Sequence, residues 1–451
     1  MTRAAEDGTT DTTVVIVGAG FAGVGCARVL ARHRVQVLLV ERNNYHQFQP
    51  LLYQAATAQL AASDVGTPLR TLFHKDETVS IKKDEVVSVD AATRTVTTTD
   101  GHSYRGEYLV LAVGSQPNFF RTPGADTHAF PLYSLADAQR LRSRIFELFE
   151  AADRDPKLVD AGALTFVIVG AGATGVEIAG ALADLVHNVL PDEYRDLAVQ
   201  ATRIYLVEHG HAVLAPFSRD AHEYAIRVLQ RDGVQIMLGT SVKEVTSNSV
   251  VLSDGSAIAT RCAIWAGGVR AAPLAANAGV SRGRGGRITV LSDLTVEGFD
   301  RVYALGDVAD IPSPDGTAFP QLGSVALQTG QWAAKSILAD IAGRPRGSFH
   351  YHDKGIMAMI GRGAAVAEVG AKRHELHGAI AFAAWLGVHT WLMSGVRSRV
   401  DALVSWGWDY FSASRTPALI DRPDAATIDW GDEDGETPAA PGPAQLKPAA
   451  R

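Results

Sequence analysis

One pattern, present twice, constrains this chain more than any other feature. A β-branched run, Val14 to Val17, leads straight into Gly18-Ala19-Gly20-Phe21-Ala22-Gly23; a helical stretch follows to about Arg32, and a second apolar run, Val35 to Val40, closes on Glu41. Further along, Phe166 to Val169 leads into Gly170-Ala171-Gly172-Ala173-Thr174-Gly175, a helix runs through Ala183, and Arg203 to Val207 closes on Glu208. A continuous apolar run of this length suits a strand buried on both faces. Each copy therefore reads as strand, glycine-rich turn, helix and strand, with an acid at the end of the second strand. That is the context in which G-x-G-x-x-G means a dinucleotide site rather than an ordinary turn.

The chemistry explains the spacing. The first glycine permits the tight turn, the second lets the backbone approach a pyrophosphate, and the third allows close helix–strand packing. The phosphates then meet free N–H groups and the positive end of a helix. Glu41 and Glu208 are placed to accept hydrogen bonds from a ribose, and a carboxylate at Glu208 repels a 2′-phosphate, which favours NADH over NADPH. Glu208 lies farther from its glycines than usual, so a solvated strand-end acid is the competing explanation for it.

Two dinucleotides in one polypeptide point to electron transfer: a nicotinamide gives hydride, and a flavin accepts it and passes electrons on. Other strand ends carry residues suited to such ligands: Tyr108 to Val113 ends at Gly114, Ala263 to Ala266 at Gly267-Gly268, and Val302 to Leu305 at Gly306-Asp307. Asp307 fits the ribityl and pyrophosphate region of FAD, with a helix N-cap as the alternative.

Bulk properties exclude several classes. A chain of 451 residues needs more than one core, and a net charge of -7 without a basic stripe excludes nucleic acid as a partner. The two cysteines, Cys26 and Cys262, form no C-x-x-C pair, which excludes a disulfide framework. No metal-ligand spacing stands out. The expected fold is α/β: two Rossmann-like dinucleotide-binding domains, for FAD and NADH, plus a C-terminal membrane-associating region. The expected order is a disordered N-terminus over 1–12, an FAD domain from 13–125 and 286–349, an NADH domain over 126–285, a C-terminal region over 350–420 and a disordered acidic tail over 421–451. Strands are expected within Tyr351 to Val369. Four of the seven tryptophans (Trp385, Trp391, Trp406 and Trp408) fall in the apolar stretch Gly378 to Tyr410. Within it, Gly378 to Val396 carries no formal charge, is broken by Gly387 and sits beside Arg397 and Arg399. It is expected to lie in a membrane interface, with an aromatic dimer or domain contact as the alternative.

Four stretches together resemble the type II NADH dehydrogenases, NADH:quinone oxidoreductases within the two-dinucleotide flavoprotein superfamily. They are Val14–Gly23 with Glu41, the run Asn44 to Gln54 (NYHQFQPLLYQ), Gly170–Gly180 (GAGATGVEIAG) and Trp385–Ile420. The resemblance implies non-covalent FAD, NADH as donor, a quinone acceptor with menaquinone one candidate, and no proton pumping. It also implies a homodimer docked peripherally on the cytoplasmic face of the cell membrane by amphipathic helices. Gly18, Gly20, Gly23, Glu41, Arg42, Gly114 and Asp307 match FAD contacts of the family; Gly170, Gly172, Gly175, Glu208 and Gly268 match its NADH side. Glu177 matches an acid linked there to proton or quinone handling, against a plain helix-start role. Gln328 matches a quinone-pocket glutamine, against a plain surface role. Ser324 stands where the family often has a first glutamine, which puts the quinone contacts at Ser324 and Gln328 in question. The rivals are a sulfide:quinone oxidoreductase, a soluble NADH-dependent flavoprotein reductase and an NADH-sensing flavoprotein with another acceptor.

Overall fold

The computed structural model describes residues 3–4, 9–314, 316–370, 372–412, 415 and 417–420; the tail expected over 421–451 lies outside the described residues. The first Rossmann unit is built from β1 (Thr10–Val17), α1 (Phe21–Arg32) and β2 (Val37–Glu41). Its sheet is parallel in the order 79–83, 37–41, 10–17, 103–111, 299–304. Val14, Val15 and Ile16 have no exposed surface, as their continuous apolar pattern requires. β1 begins at Thr10 and pairs antiparallel with Arg3–Ala4, so part of the stretch expected to be unstructured extends the sheet.

The second unit repeats the plan with β3 (Thr165–Val169), α2 (Ala173–Asn188) and β4 (Arg203–Val207). Its parallel sheet runs 129–131, 262–265, 165–169, 203–207, 234–237. The chain crosses between the units twice, and the crossings pair with each other antiparallel, Ser115–Pro117 against Val269–Ala271. Ala271, Ala275 and Ala278 already pack into the core of the first unit. The return crossing therefore falls earlier in the chain than residue 285.

The C-terminal region forms a three-stranded antiparallel sheet, 355–361, 364–369 and 374–377, followed by helices Gly378–Leu392 and Val396–Phe411. Gly387 does not interrupt the first helix; the break comes at Met393–Gly395, where Gly395 takes φ 96°. This region shares one continuous core with the second unit and with the segment after β2: Phe48, Leu52, Tyr53, Phe166, Val176, Ile360 and Trp385 are all buried in it. The junction is close because α2 presents Gly180, where a Cβ would lie 1.7 Å from the carbonyl oxygen of Ile360. No described helix is long and apolar enough to cross a membrane.

Candidate active site

The two glycine cradles are nearly superimposable in their local constraints. Gly18 and Gly170 take φ 98° and 100°, values that L side chains avoid. A Cβ at Gly18 would sit 2.4 Å from the carbonyl oxygen of Ala112, and one at Gly170 2.6 Å from that of Ala266. A Cβ at Gly23 or at Gly175 would lie 1.8 Å from the carbonyl oxygen of Gly18 or Gly170, respectively. At Gly20 and Gly172, by contrast, a Cβ meets no atom within 4 Å. Each loop is thus closed against its own sheet and helix and open on one side, at the N-terminus of α1 or α2, where a pyrophosphate fits.

The strand-end acids complete the match. Glu41 accepts from the backbone N–H of Ala19 at 2.7 Å and of Asn43 at 3.0 Å. Glu208 accepts from Ala171 N–H at 2.7 Å and Gly210 N–H at 2.7 Å. Each carboxylate is therefore held at the glycine loop, at the position where a ribose on that loop would be read. Arg42 is exposed beside Glu41. Gly268, at φ 129°, faces the ring of Phe120.

Asp307 sits in a single 3-10 turn, Gly306–Val308, not at the start of a long helix; the helix that follows begins only at Gly323. Ser115 donates to its carboxylate at 2.7 Å, and the Ser115 hydroxyl also meets Tyr133 OH at 2.7 Å. Burial pushes the Asp307 carboxyl up, against the Ser115 hydroxyl and the Arg287 charge. Gly114, at φ 70°, approaches the same tyrosine hydroxyl. Sequence reasoning left out His46, which lies behind the first loop. Its Nδ1 donates to the carbonyl of Ala19 at 2.8 Å, and burial lowers the ring's pKa to about 4, so it stays neutral. Phe21 packs edge-on against it. His46 belongs to the NYHQFQ run, which the family resemblance singled out without revealing this contact.

Glu177 lies on the first turns of α2, half-buried, and accepts from the backbone N–H of Met359 at 3.2 Å. The indole N–H of Trp385 faces the same carboxylate without closing to hydrogen-bond geometry. Burial pushes Glu177 up to about 8, outweighing both donors; a carboxyl taken out of water favours its neutral form. At neutral pH it carries a proton. Around it stands a group of residues from three distant stretches. The Tyr53 hydroxyl accepts from Gln54 at 3.0 Å, Gln54 accepts from Trp406 Nε1 at 2.8 Å, and Trp385 stacks on His389 with ring centroids 3.9 Å apart. Burial lowers His389 to about 4, so this ring is neutral as well. Of the four C-terminal tryptophans, Trp385 and Trp406 face this interior, while Trp391 and Trp408 are 77% and 61% exposed.

Gln328 and Ser324 are engaged elsewhere. The Gln328 amide donates to the carbonyl of His352 at 3.0 Å and accepts from its N–H at 2.9 Å. The Ser324 hydroxyl meets Tyr351 OH at 2.9 Å. Both residues clasp the segment leading into the C-terminal sheet, a role that spacing alone does not reveal. Cys26 and Cys262 are buried and free, and burial pushes each thiol up to about 12. Neither is a nucleophile or a redox centre at neutral pH.

The profile of the pyridine nucleotide-disulphide oxidoreductase family matches residues 12–330. The chain is 35% identical over 423 residues to a type II NADH:quinone oxidoreductase of Mycobacterium tuberculosis, covering 90% of each protein. The chain belongs to the type II NADH:quinone oxidoreductases. A second M. tuberculosis member is 34% identical, covering 90% of this chain and 89% of the relative. Among solved structures, NDH2 of Plasmodium falciparum in complex with NADH is 18% identical with a TM-score of 0.82, covering 90% of this chain and 99% of that one. The sulfide:quinone oxidoreductase of Aquifex aeolicus is 16% identical with a TM-score of 0.69, covering 89% and 96%; that likeness shows the fold. In this type II NADH:quinone oxidoreductase the buried, protonated cysteines argue against thiol chemistry. FAD and NADH are its two dinucleotides, and the two open cradles fit them.

Proposed function

We propose that this enzyme oxidises NADH bound at the Gly170–Gly175 cradle and reduces a membrane quinone on the side of FAD near Glu177. FAD, when bound at the Gly18–Gly23 cradle, supplies the two-electron relay between them. The residues do the rest. Glu41 and Glu208 orient the two riboses, and helices α1 and α2 hold the pyrophosphates at their N-termini. Asp307, tied to Ser115, fixes the middle of the FAD site, and His46 stiffens the loop from behind. Glu177 holds a proton at its carboxyl at neutral pH and gives it to the quinone oxygen. The Tyr53–Gln54–Trp406–Trp385 group keeps water from that carboxyl, which sustains its raised pKa. The observation that carries the proposal is the identity of the two cradles, down to the glutamate locked on each loop.

The same reading places the protein peripherally, on the cytoplasmic face of the cell membrane. The two C-terminal helices leave Ile380, Trp391, Val396, Val404 and Trp408 largely exposed. Exposed apolar side chains concentrated on two adjacent helices suit a docking site. Menaquinone as acceptor and a homodimeric assembly complete the proposal. Its test is an anaerobic titration of the purified yellow protein with NADH, then with a menaquinone analogue. NADH should bleach the flavin band and the quinone should restore it. A flavin band indifferent to NADH would overturn the donor assignment. Bleaching that no quinone reverses would overturn the acceptor assignment, and elution at monomer mass in light scattering would overturn the dimer.

A further inference from the structure

A cavity of about 190 Å³ opens where α1 and helix Gly323–Ile341 meet the break between the two C-terminal helices. Arg28 and Arg32 line it from α1, and Arg399 from the final helix; Gln331 and the exposed Trp391 complete its rim. Among the described residues no carboxylate forms an ion pair with any of the three arginines. Burial and the charges of Arg32 and Arg399 lower the pKa of Arg28, and only Asp76 opposes them. Arg399 is fixed in place: its Nε donates to Met393 O at 3.0 Å and its Nη2 to Trp391 O at 3.0 Å, and its guanidinium lies 5.9 Å from the centre of the Trp391 ring. Among the described residues no acceptor meets the remaining N–H groups of that fork, which leaves them to a ligand.

This arrangement is costly without a partner. Arg28 and Arg32 stand four residues apart on one helix, where like charges repel, and Arg399 adds a third charge from another element. The whole chain has a net charge of -7, so the cluster is a local reversal of sign. It sits beside Trp391, 77% exposed, and a few residues from Val396, 76% exposed, the two most exposed large hydrophobic side chains among the described residues. Three cations under an apolar rim match a phosphate that is itself tethered to hydrocarbon.

We propose that the Arg28–Arg32–Arg399 cavity binds the phosphate headgroup of an anionic phospholipid. The cavity reads the headgroup while Trp391, Leu392 and Val396 enter the acyl boundary. It would also fix the rotation of the protein on the membrane, because one wall belongs to the FAD domain and the other to the docking helices. The site rests on the peripheral-docking reading above.

The test is co-flotation of the full-length holoprotein with vesicles of phosphatidylcholine alone, or of phosphatidylcholine with 30% phosphatidylglycerol. The wild-type protein should bind both and prefer the anionic vesicles. Arg28→Gln and Arg399→Gln should each weaken anionic binding about fivefold, leaving binding to pure phosphatidylcholine and NADH oxidation with a soluble quinone unchanged. Arg397→Gln, which removes a charge from the same helix as Arg399 but outside the cavity, where it pairs with Asp401, should change the preference little. Equal loss in Arg28→Gln and Arg397→Gln would overturn the site in favour of diffuse attraction. Saturable binding of inorganic phosphate that Arg28→Gln abolishes, in a protein with no preference for anionic vesicles, would overturn lipid as the source and assign a free-phosphate site. Binding to both vesicles without preference would overturn the cavity alone, whereas binding to neither would overturn the docking reading and the cavity with it.

Discussion

Replacing Glu177 with glutamine should make the fold more stable and the enzyme slower, and the stability gain should depend on pH. Burial raises this carboxyl from 4.5 to about 8. A carboxyl whose folded pKa lies above its unfolded value destabilises the fold progressively as pH climbs past the unfolded pKa, and the loss levels off above the folded one. At about 1.36 kcal/mol per pH unit, the wild-type fold loses about 3 kcal/mol between pH 5.5 and the plateau near pH 8. Glutamine is neutral throughout and its carbonyl still accepts from Met359 N–H, so the variant escapes the loss. Thermal melts followed by flavin fluorescence and circular dichroism at pH 5.5 and 8.5 should show the variant gaining on wild type with pH. Bleaching by NADH should survive, while turnover with quinone should fall about a hundredfold, the usual scale of a positioned general acid. A stability gap that stays constant across that pH range would refute the raised pKa, and full quinone turnover would refute the proton-donor role.

The remaining predictions concern the cradles, the ties and the thiols. Gly23→Ala should yield protein without flavin, because its Cβ collides with the Gly18 carbonyl, whereas Gly175→Ala should stay yellow but lose bleaching by NADH; identical behaviour of the two would contradict the assignment of one cradle to each dinucleotide. Glu208→Gln should raise KM for NADH about tenfold, since hydrogen bonds to charged groups contribute about 1.5–3 kcal/mol, and should narrow the preference over NADPH in steady-state kinetics. Arg415 is buried against Asp184 and Asp409, so Arg415→Ala should cost about 3–5 kcal/mol by stranding the Asp184 charge. A denaturant midpoint unchanged from wild type would show the tie to be dispensable. Activity should be insensitive to thiol-alkylating reagents in the native state, with Cys26 and Cys262 modified only on unfolding, as mass spectrometry of the treated enzyme would reveal.

The two nucleotide-binding units were legible in the order of residues alone. Their signals are local: a continuous apolar strand, glycines at fixed offsets and an acid one strand later are read by the backbone within a few tens of residues, and the torsion angles at Gly18 and Gly170 leave no other choice of residue. The segment Asn44 to Gln54 entered through the family resemblance and the tryptophan-rich end through its composition, yet nothing in their spacing showed that they meet. Only the tertiary structure brought Tyr53, Glu177, Met359 and Trp385 together, because the absence of a side chain at Gly180 lets α2 close on the C-terminal sheet. Only that packing decided the protonation of Glu177, since a carboxyl's pKa depends on the water it loses and the charges it meets, and neither is a property of its neighbours in sequence. The same holds for Gln328, which spacing alone could not direct to the backbone of His352, and for three arginines from two distant helices that share one cavity.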